Sequence, residues 1–484
     1  MRSNYNQFTS PQFSILSESQ LEEIHMTSLE ILRLTGVRFH HEESLQLLSK
    51  AGCLISDGNL VKFPAHTVEN AIRCAPSRVV LCDSNGKPAM KLEGNRAYFG
   101  TGSDTLHILD PYTGSRRPFN TEDLCNIYRL CDALPNIHFQ MSAGIPSDAP
   151  QGISHYLWQC AKMFENTAKP IVFVCNDYAD CAAIIEMASI VAGGREELRL
   201  SPNILLYSEP TSPLQQSKTS LEKLLLMAEN SLPVVHSPAP MMGATAPIKI
   251  AGGLAMSNAE VLSALTLHQL KNPGAPFVYG AGLQHMDMAA MQTCYSSPEF
   301  ELVKATVAQI ARYYGLPSWS YAGCTDSKVL DAQAVAESMQ SVLMAQLGGA
   351  NLVHDVGYME SGLMTSPELI AITDELIAMT NHIIKGIEVT DETLSLDVIN
   401  EVGPGGNYLE HPQTEKYFRD FWYPTIIDRS RYESWVGRGG LSMDKKINLK
   451  VRDIIENYQP ETITKNKLKK ITAVLENSRE MAAV

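Results

Sequence analysis

A chain of 484 residues with 44% hydrophobic content can bury a large core, as one big domain or two to three smaller ones. Its formal charge of −14 disfavours nucleic acid or an anionic membrane as a main partner, because phosphate binding needs a basic footprint that this composition lacks. The opening MRSNYNQFTSPQF has no continuous apolar segment, and no run of about 18 uncharged apolar residues follows, so a soluble cytoplasmic protein is expected.

In chain order, residues 1–95 hold a helix candidate, ESQLEEIHMTSLEILRLTG, then turns and short strands in CLISDGNLVKF and RVVLCDSNGKPAMKLEGN. Beyond them, short runs rich in β-branched and aromatic residues alternate with longer stretches of helical period. The strand candidates are AYFG (97–100), IHFQMSA (137–143), PIVFVC (170–175), NILLYS (203–208), PVVHS (233–237), PFVYG (276–280), PSWSYAG (317–323) and NLVHDV (351–356). The helix candidates are EDLCNIYRLCDAL, ISHYLWQCAKMF, CAAIIEMASIVA, SLEKLLLMAEN, AEVLSALTLHQL, FELVKATVAQIARYY, DAQAVAESMQSVLMAQL and ELIAITDELIAMTNHII. Eight βα units at spacings of roughly 30 to 45 residues close into a barrel. The expected fold is therefore α/β: a TIM (β/α)8 barrel over 96–388, an N-terminal α+β extension over 1–95 packed on it, and a C-terminal helical extension over 389–484. Prolines open several strands, as in KPIVFV and LPVVH, where the missing N–H costs no ladder bond. The last extension holds a Gly-rich turn (VGPGGNY), an aromatic segment (YFRDFWYPTIIDRSRYESW) and two charged helices, with KNKLKK read as a solvated helix face. Ten cysteines without a CxxC pair read as reduced core thiols.

Chemistry in such barrels sits at the C-terminal ends of the strands, so the segments that follow them are compared as a set. They read FGTGSDT, YSEPTSP, HSPAPMMGATAP, YGAGLQHMDM, YAGCTDSK and HDVGYMESG. Taken alone, HDVGYMESG is an ordinary polar loop; beside five others rich in glycine, acids, tyrosines and methionines, it belongs to a site. No zinc spacing, GxSxG elbow or complete GxGxxG loop is present, and Lys and Arg are scarce, which argues against a phosphate-bearing substrate. A metal held by His and Asp from different strands stays open. What remains is a set of aromatics (Phe99, Tyr207, Tyr279, Tyr321, Tyr358) and carboxylates (Asp104, Glu209, Asp326, Glu360), with positive charge only from His236 or His354. Aromatic faces and carboxylates suit an organic cation, a quaternary ammonium best of all, although each tyrosine can equally fill the barrel. Methionines 241, 242, 286, 288 and 291 suit a large apolar surface that could receive a bulky planar cofactor.

Six segments in order, SEPTSPL (208–214), PMMGATAPIKIAGGLAMSNAEVL (240–262), FVYGAG (277–282), AGCTDSKVLDAQAVAE (322–337), GANLVHDVGYMESG (349–362) and HPQTEKYFRDFWYPTIIDR (411–429), resemble the trimethylamine methyltransferase family in its branch without pyrrolysine. The resemblance covers essentially the whole chain. It implies a TIM barrel that moves a methyl group from a methylated amine to the cobalamin of a separate, cognate corrinoid protein. The founding members contain pyrrolysine and this sequence does not, which favours quaternary over simpler amines and makes glycine betaine the first expected donor, with proline betaine and carnitine as alternatives. From the resemblance and the loops together, His354, Glu209 and Asp326 are expected to carry the catalysis. Phe99, Asp104, Tyr207, Tyr321, Cys324, Gln333, Tyr358 and Glu360 are expected around the substrate, Met242, His285 and Met286 facing the corrinoid cofactor, and no resident metal. A metal-dependent barrel hydrolase and a non-catalytic betaine-binding protein are the readings from other classes, and a homo-oligomer is expected.

Overall fold

The computed structural model describes residues 12–461 and 463–482; the opening residues 1–11, read above as free of an apolar segment, lie outside the described residues. The fold is mixed α/β. Eight strands carry its centre: β1 (Tyr98–Thr101), β2 (Ile137–Phe139), β3 (Ile171–Phe173), β4 (Ile204–Ser208), β5 (Val234–His236), β6 (Phe277–Val278), β7 (Trp319–Tyr321) and β8 (Leu352–Val356). Interleaved with them are α1 (Thr121–Ala133), α2 (His155–Asn166), α3 (Tyr178–Ala192), α4 (Lys218–Glu229), α5 (Ile250–Lys271), α6 (Pro298–Tyr313), α7 (Ala332–Gly348) and α8 (Pro367–Ile384).

Strands β3, β4, β5 and β6 pair in parallel, with Leu206 opposite Val234 and Val235 opposite Val278. Strands β7, β8, β1 and β2 do likewise, with Tyr321 opposite His354 and Val353 opposite Phe99. Single parallel bridges join the two sheets at Gln140–Ile171 and Tyr279–Ser318, so each of the eight strands has a parallel neighbour on both sides. Every residue of β3, β4, β5, β7 and β8 is buried, as expected for strands covered by helices on one face and packed core on the other. Six of the eight helices start at a capping side chain: Asn120, Asp177, Ser217, Ser297, Asp331 and Ser366 each accept a backbone N–H with the side chain. Helix α5 is long and apolar enough by composition to cross a membrane, but 83% of its apolar window is buried inside the fold. All ten cysteines are free thiols.

The N-terminal residues pack on α5. The Ser28 hydroxyl donates to the Ala255 carbonyl (2.9 Å) and the Asn258 amide donates to Ser28 (2.9 Å). At the other end of the chain, Glu375 of α8 accepts the backbone N–H groups of Thr425, Ile426 and Ile427 at 2.7–2.9 Å. A helix over Met443–Asn457 then reaches α8 through Asn448, which donates to Glu368 (3.0 Å), and the last helix, Lys465–Ala482, meets α3 through Lys467 and the Val191 carbonyl (2.7 Å).

Candidate active site

Past the C-terminal ends of β1, β4, β7 and β8 lies a cavity of about 450 Å³ whose lining includes Ser103, Asp104, Tyr156, Tyr207, Glu209, Lys223, Gln284, Tyr295, Tyr321, His354, Asp355 and Tyr358. Its floor is aromatic. The His354 ring centroid stands 4.2 Å from Trp319, 4.5 Å from Tyr321 and 5.7 Å from Tyr207, and Tyr207 stacks on Trp319 at 5.1 Å. Parallel pairing of β7 with β8 sets Tyr321 directly beside His354.

Three carboxylates enter the same space. Asp104 and Asp355 both hold left-handed backbone, at φ 68° and 75°, which non-glycine residues adopt at a cost and which recurs at functional sites. Asp104 is half-buried as a residue, yet its Oδ1 is sealed from solvent without a partner, and its Oδ2 accepts from Ser103 and from the Tyr156 hydroxyl, both at 3.3 Å. Loss of water pushes its pKa up to about 6, against the pull of those hydroxyls. Burial likewise raises the Glu209 carboxyl, which accepts a short hydrogen bond from Tyr207. Asp355 Oδ1 comes within 2.7 Å of His354 Nδ1, but the two are misaligned and neither atom forms a hydrogen bond. The approach is therefore close without being a tautomer-fixing hydrogen bond, and it is an ion pair only when the imidazole is protonated. Nε2 of His354 is also buried without a partner.

Against these acids stands Lys223 of α4. Its side chain is buried, lines the cavity, and donates to the Cys175 carbonyl at 2.7 Å. His236, considered above as a source of positive charge, is fully buried outside the lining, and burial lowers its pKa to about 3, so it is neutral. Among the described residues, no three His, Cys, Asp or Glu side chains form a set that could hold a metal ion.

Glycine sets the close approach of two lining residues: a Cβ on Gly102 would collide with the Tyr358 ring and with Asp355, and one on Gly282 with the Tyr321 hydroxyl. The loop after β4 is tied down by Glu260 of α5, which accepts from the Ser212 hydroxyl (2.8 Å) and the Leu214 N–H (2.5 Å).

Of the residues singled out in the sequence, His354, Glu209, Asp104, Tyr207, Tyr321 and Tyr358 meet in the cavity. Asp326 lies outside the lining. It accepts from the N–H groups of Tyr295 (2.9 Å) and Ser296 (3.2 Å) and from the Ser361 hydroxyl (2.8 Å), joining the loops after β7 and β8 to the chain before α6. Gln333 is exposed and donates to Glu337 (2.9 Å), which in turn accepts the Asp326 N–H (2.9 Å). Phe99 is wholly buried in the strand core, Cys324 is buried with its thiol pKa pushed up, and Glu360 is paired with Arg116 at 2.7 Å. None of these three lines the cavity. Met242 is buried, while His285 and Met286 sit half-buried on a rim strand over Gln284–Asp287 that begins with the cavity residue Gln284. Three lining residues that the strand-end comparison passes over are Tyr156, Lys223 and Tyr295. Two of them lie within the helical runs ISHYLWQCAKMF and SLEKLLLMAEN. A lysine directly before the apolar helix run LLLMA is the signal that was available.

A family model described as trimethylamine methyltransferase (MTTB) matches residues 2–482. The chain is similar to the trimethylamine methyltransferase MttB of Desulfitobacterium hafniense (strain DSM 10664 / DCB-2), 34% identical over 96% of this chain and 94% of the relative. It is similar to a glycine betaine methyltransferase of Desulfitobacterium hafniense (strain Y51), 32% identical over 94% of each chain. Among solved structures, the Methanosarcina barkeri monomethylamine methyltransferase matches at a TM-score of 0.48 and 10% identity, over 99% of this chain and 96% of that one.

Proposed function

Because the chain belongs to the trimethylamine methyltransferase family and is a methyltransferase, we propose that it removes a methyl group from a quaternary amine, glycine betaine first, and passes it to the cob(I)alamin of a separate corrinoid protein. The observation that carries this reading is the lining: five tyrosines and three carboxylates around one lysine in about 450 Å³. Tyrosine faces hold a methylated ammonium, and the acids set a negative potential that favours a cation over a neutral amine. Lys223 supplies a counter-charge to the carboxylate of a betaine.

The chemistry asks little of the protein beyond orientation. When the methyl leaves, the C–N electron pair stays on nitrogen and the product is a neutral tertiary amine, dimethylglycine from glycine betaine, so no acid is required. The reduced corrinoid is the nucleophile and supplies the electron pair of the new bond; the cavity aligns the methyl with it and excludes water. Carboxylates pressed against the ammonium would stabilise the substrate more than the transition state, because positive charge leaves nitrogen as the bond breaks. Protonating Asp104 or Glu209 lessens that penalty. On this reading the ring of eight parallel strands is a (β/α)8 barrel with the cavity at its C-terminal end, in a cytoplasmic enzyme. The exposed side chains of Ile248 and Met288, which close on Gly243 beside the rim strand, suit the apolar face of the arriving corrinoid protein.

The test mixes the protein with a reduced corrinoid protein and follows its absorbance as glycine betaine, proline betaine, carnitine and trimethylamine are added in turn. Methylation of the corrinoid with glycine betaine and not with trimethylamine is the expected result. No methylation with any donor, alongside tight betaine binding by calorimetry, would replace the enzyme reading by a binding protein. Lys223→Met is expected to raise KM for a betaine at least tenfold and to leave binding of tetramethylammonium, which has no carboxylate, within a factor of about two.

A further inference from the structure

Between α8 and the stretch Thr425–Ile427 that Glu375 anchors, residues 387–424 leave the body of the protein as an arm in which no residue is buried. Its short helices, Asp391–Leu394, Leu396–Val402 and Pro412–Tyr417, are bonded to one another. Gln413 donates to Ser395 (2.7 Å), Thr414 to the Tyr408 carbonyl (2.7 Å), and Lys416 to Glu392 (3.1 Å). Polar groups are thus served within the arm while its large apolar side chains face solvent: Ile387 is 83% exposed, Leu409 79%, Phe421 71%, Val389 66% and Leu396 65%. Single exposed leucines are ordinary, but this density in 38 consecutive residues is not, and a segment so short cannot bury them by itself.

The arm is also strongly acidic. From Glu388 to Glu415 it carries seven carboxylates and no Lys or Arg. A complementary surface exists on the same molecule: a cleft of about 1500 Å³ whose lining holds Arg78, Arg96, Arg312 and Lys385, with Trp422 of the arm itself, against the single carboxylate of Glu93, which Arg78 and Arg96 share at 3.3 and 3.0 Å. It lies at the N-terminal ends of the strands, where Tyr98 opens β1 and Leu316 precedes β7. Of the arm only Trp422 reaches the lining of its own cleft, while Ile387, Val389, Leu396, Leu409 and Phe421 stay exposed. A corrinoid partner does not cover it either, because that protein must reach the cavity at the opposite ends of the strands.

We propose that the occupant of the cleft is the arm of a second copy of this chain, so that two molecules exchange arms about a two-fold axis. Each acidic, apolar arm then meets the basic cleft of the other molecule, and the reciprocal contact closes without extending into a fibre. Both cavity mouths stay free.

Sedimentation velocity on the full chain gives a dimer if this holds. Reversing the arm (Glu388→Lys, Asp397→Lys, Glu401→Lys and Glu410→Lys together) and reversing the cleft (Arg78→Glu with Lys385→Glu) each give a monomer alone. An equimolar mixture of the two variants recovers a dimer, because each arm now matches the other's cleft. All six positions are at the surface, and an unchanged circular dichroism melt confirms that the variants fold. A monomeric parent chain overturns the proposal, as does a dimer that neither variant dissociates, or two monomeric variants that fail to pair.

Discussion

Asp104 ties the chemistry of the cavity to pH. Its carboxyl titrates near 6 because burial penalises the charge more than two hydroxyl donors favour it, so the folded value stands above that of the unfolded chain. The sign follows: folding takes up a proton at this site, and its contribution to stability is complete at low pH and declines as pH rises through about 6. Binding of a cation runs the other way, since only the ionised carboxylate attracts it. About one pH unit below its pKa, roughly a tenth of Asp104 is ionised, so the affinity for a quaternary ammonium should rise about tenfold from about pH 5 to about pH 7. Calorimetry with glycine betaine measures it. Glu209 shifts in the same direction, so Asp104→Asn keeps only a shallower slope, and a slope as steep as that of the parent would remove Asp104 from the binding of charge. At this scale the sequence was readable where strand-end loops deliver a side chain, as with His354, Tyr321 and Glu209. It was opaque for Lys223 and Tyr156, because helical periodicity tells which face is buried and not what cavity that face borders.

Elements that touch no substrate still determine where the lining stands. Asp326 accepts three hydrogen bonds that fasten the chain before α6 to the loops after β7 and β8, and one donor is the N–H of the cavity residue Tyr295. Asp326→Ala leaves these donors to water or unpaired, at about 1–3 kcal/mol for each that stays buried. The expected outcome is a lower unfolding midpoint in urea and a raised KM, with Asp326→Asn intermediate in both because it keeps one acceptor oxygen. Equal kcat losses in Asn and Ala with an unshifted midpoint would instead make the charge itself catalytic. Gly102 offers the same test by sterics: Gly102→Ala drives a Cβ into Tyr358 and Asp355 and should abolish betaine binding while the far-ultraviolet dichroism persists. The eight strands and eight helices were legible because short apolar runs, several of them opened by Pro, alternate with stretches of helical period, six of which start at a capping side chain. The rim hairpin of Gln284–Asp287 with Gln292–Cys294 was read as plain loop, since QHMD and QTC carry no apolar alternation to announce a strand.

For the molecule as a whole, one buried carboxylate fastens the stretch Thr425–Ile427, where the C-terminal extension returns to the core. Glu375 sits in the buried middle of α8 and accepts three consecutive backbone N–H groups, of Thr425, Ile426 and Ile427, together with the Thr425 hydroxyl. The sequence shows ELIAITDELIAMT as an amphipathic helix, but a glutamate there reads as solvated surface, because its partners lie about 50 residues away in an aromatic segment with no periodic signal. Glu375→Ala strands these donors beside the buried Ile426, and several unmet hydrogen bonds at about 1–3 kcal/mol each amount to a large share of the stability of an ordinary domain. Glu375→Gln keeps one acceptor oxygen and should lose about half as much. Because the anchor closes the arm, proteolysis should cut Glu375→Ala within residues 387–427 faster than the parent chain, and the dimer should weaken with it. The cavity is built by other residues, so kcat for the fraction still folded should hold. A variant that loses kcat with its arm still protected would mean that α8 transmits strain to the cavity, and a variant cut no faster than the parent would mean that the packing of Ile426 and of the helix over Met443–Asn457 fastens the extension without Glu375.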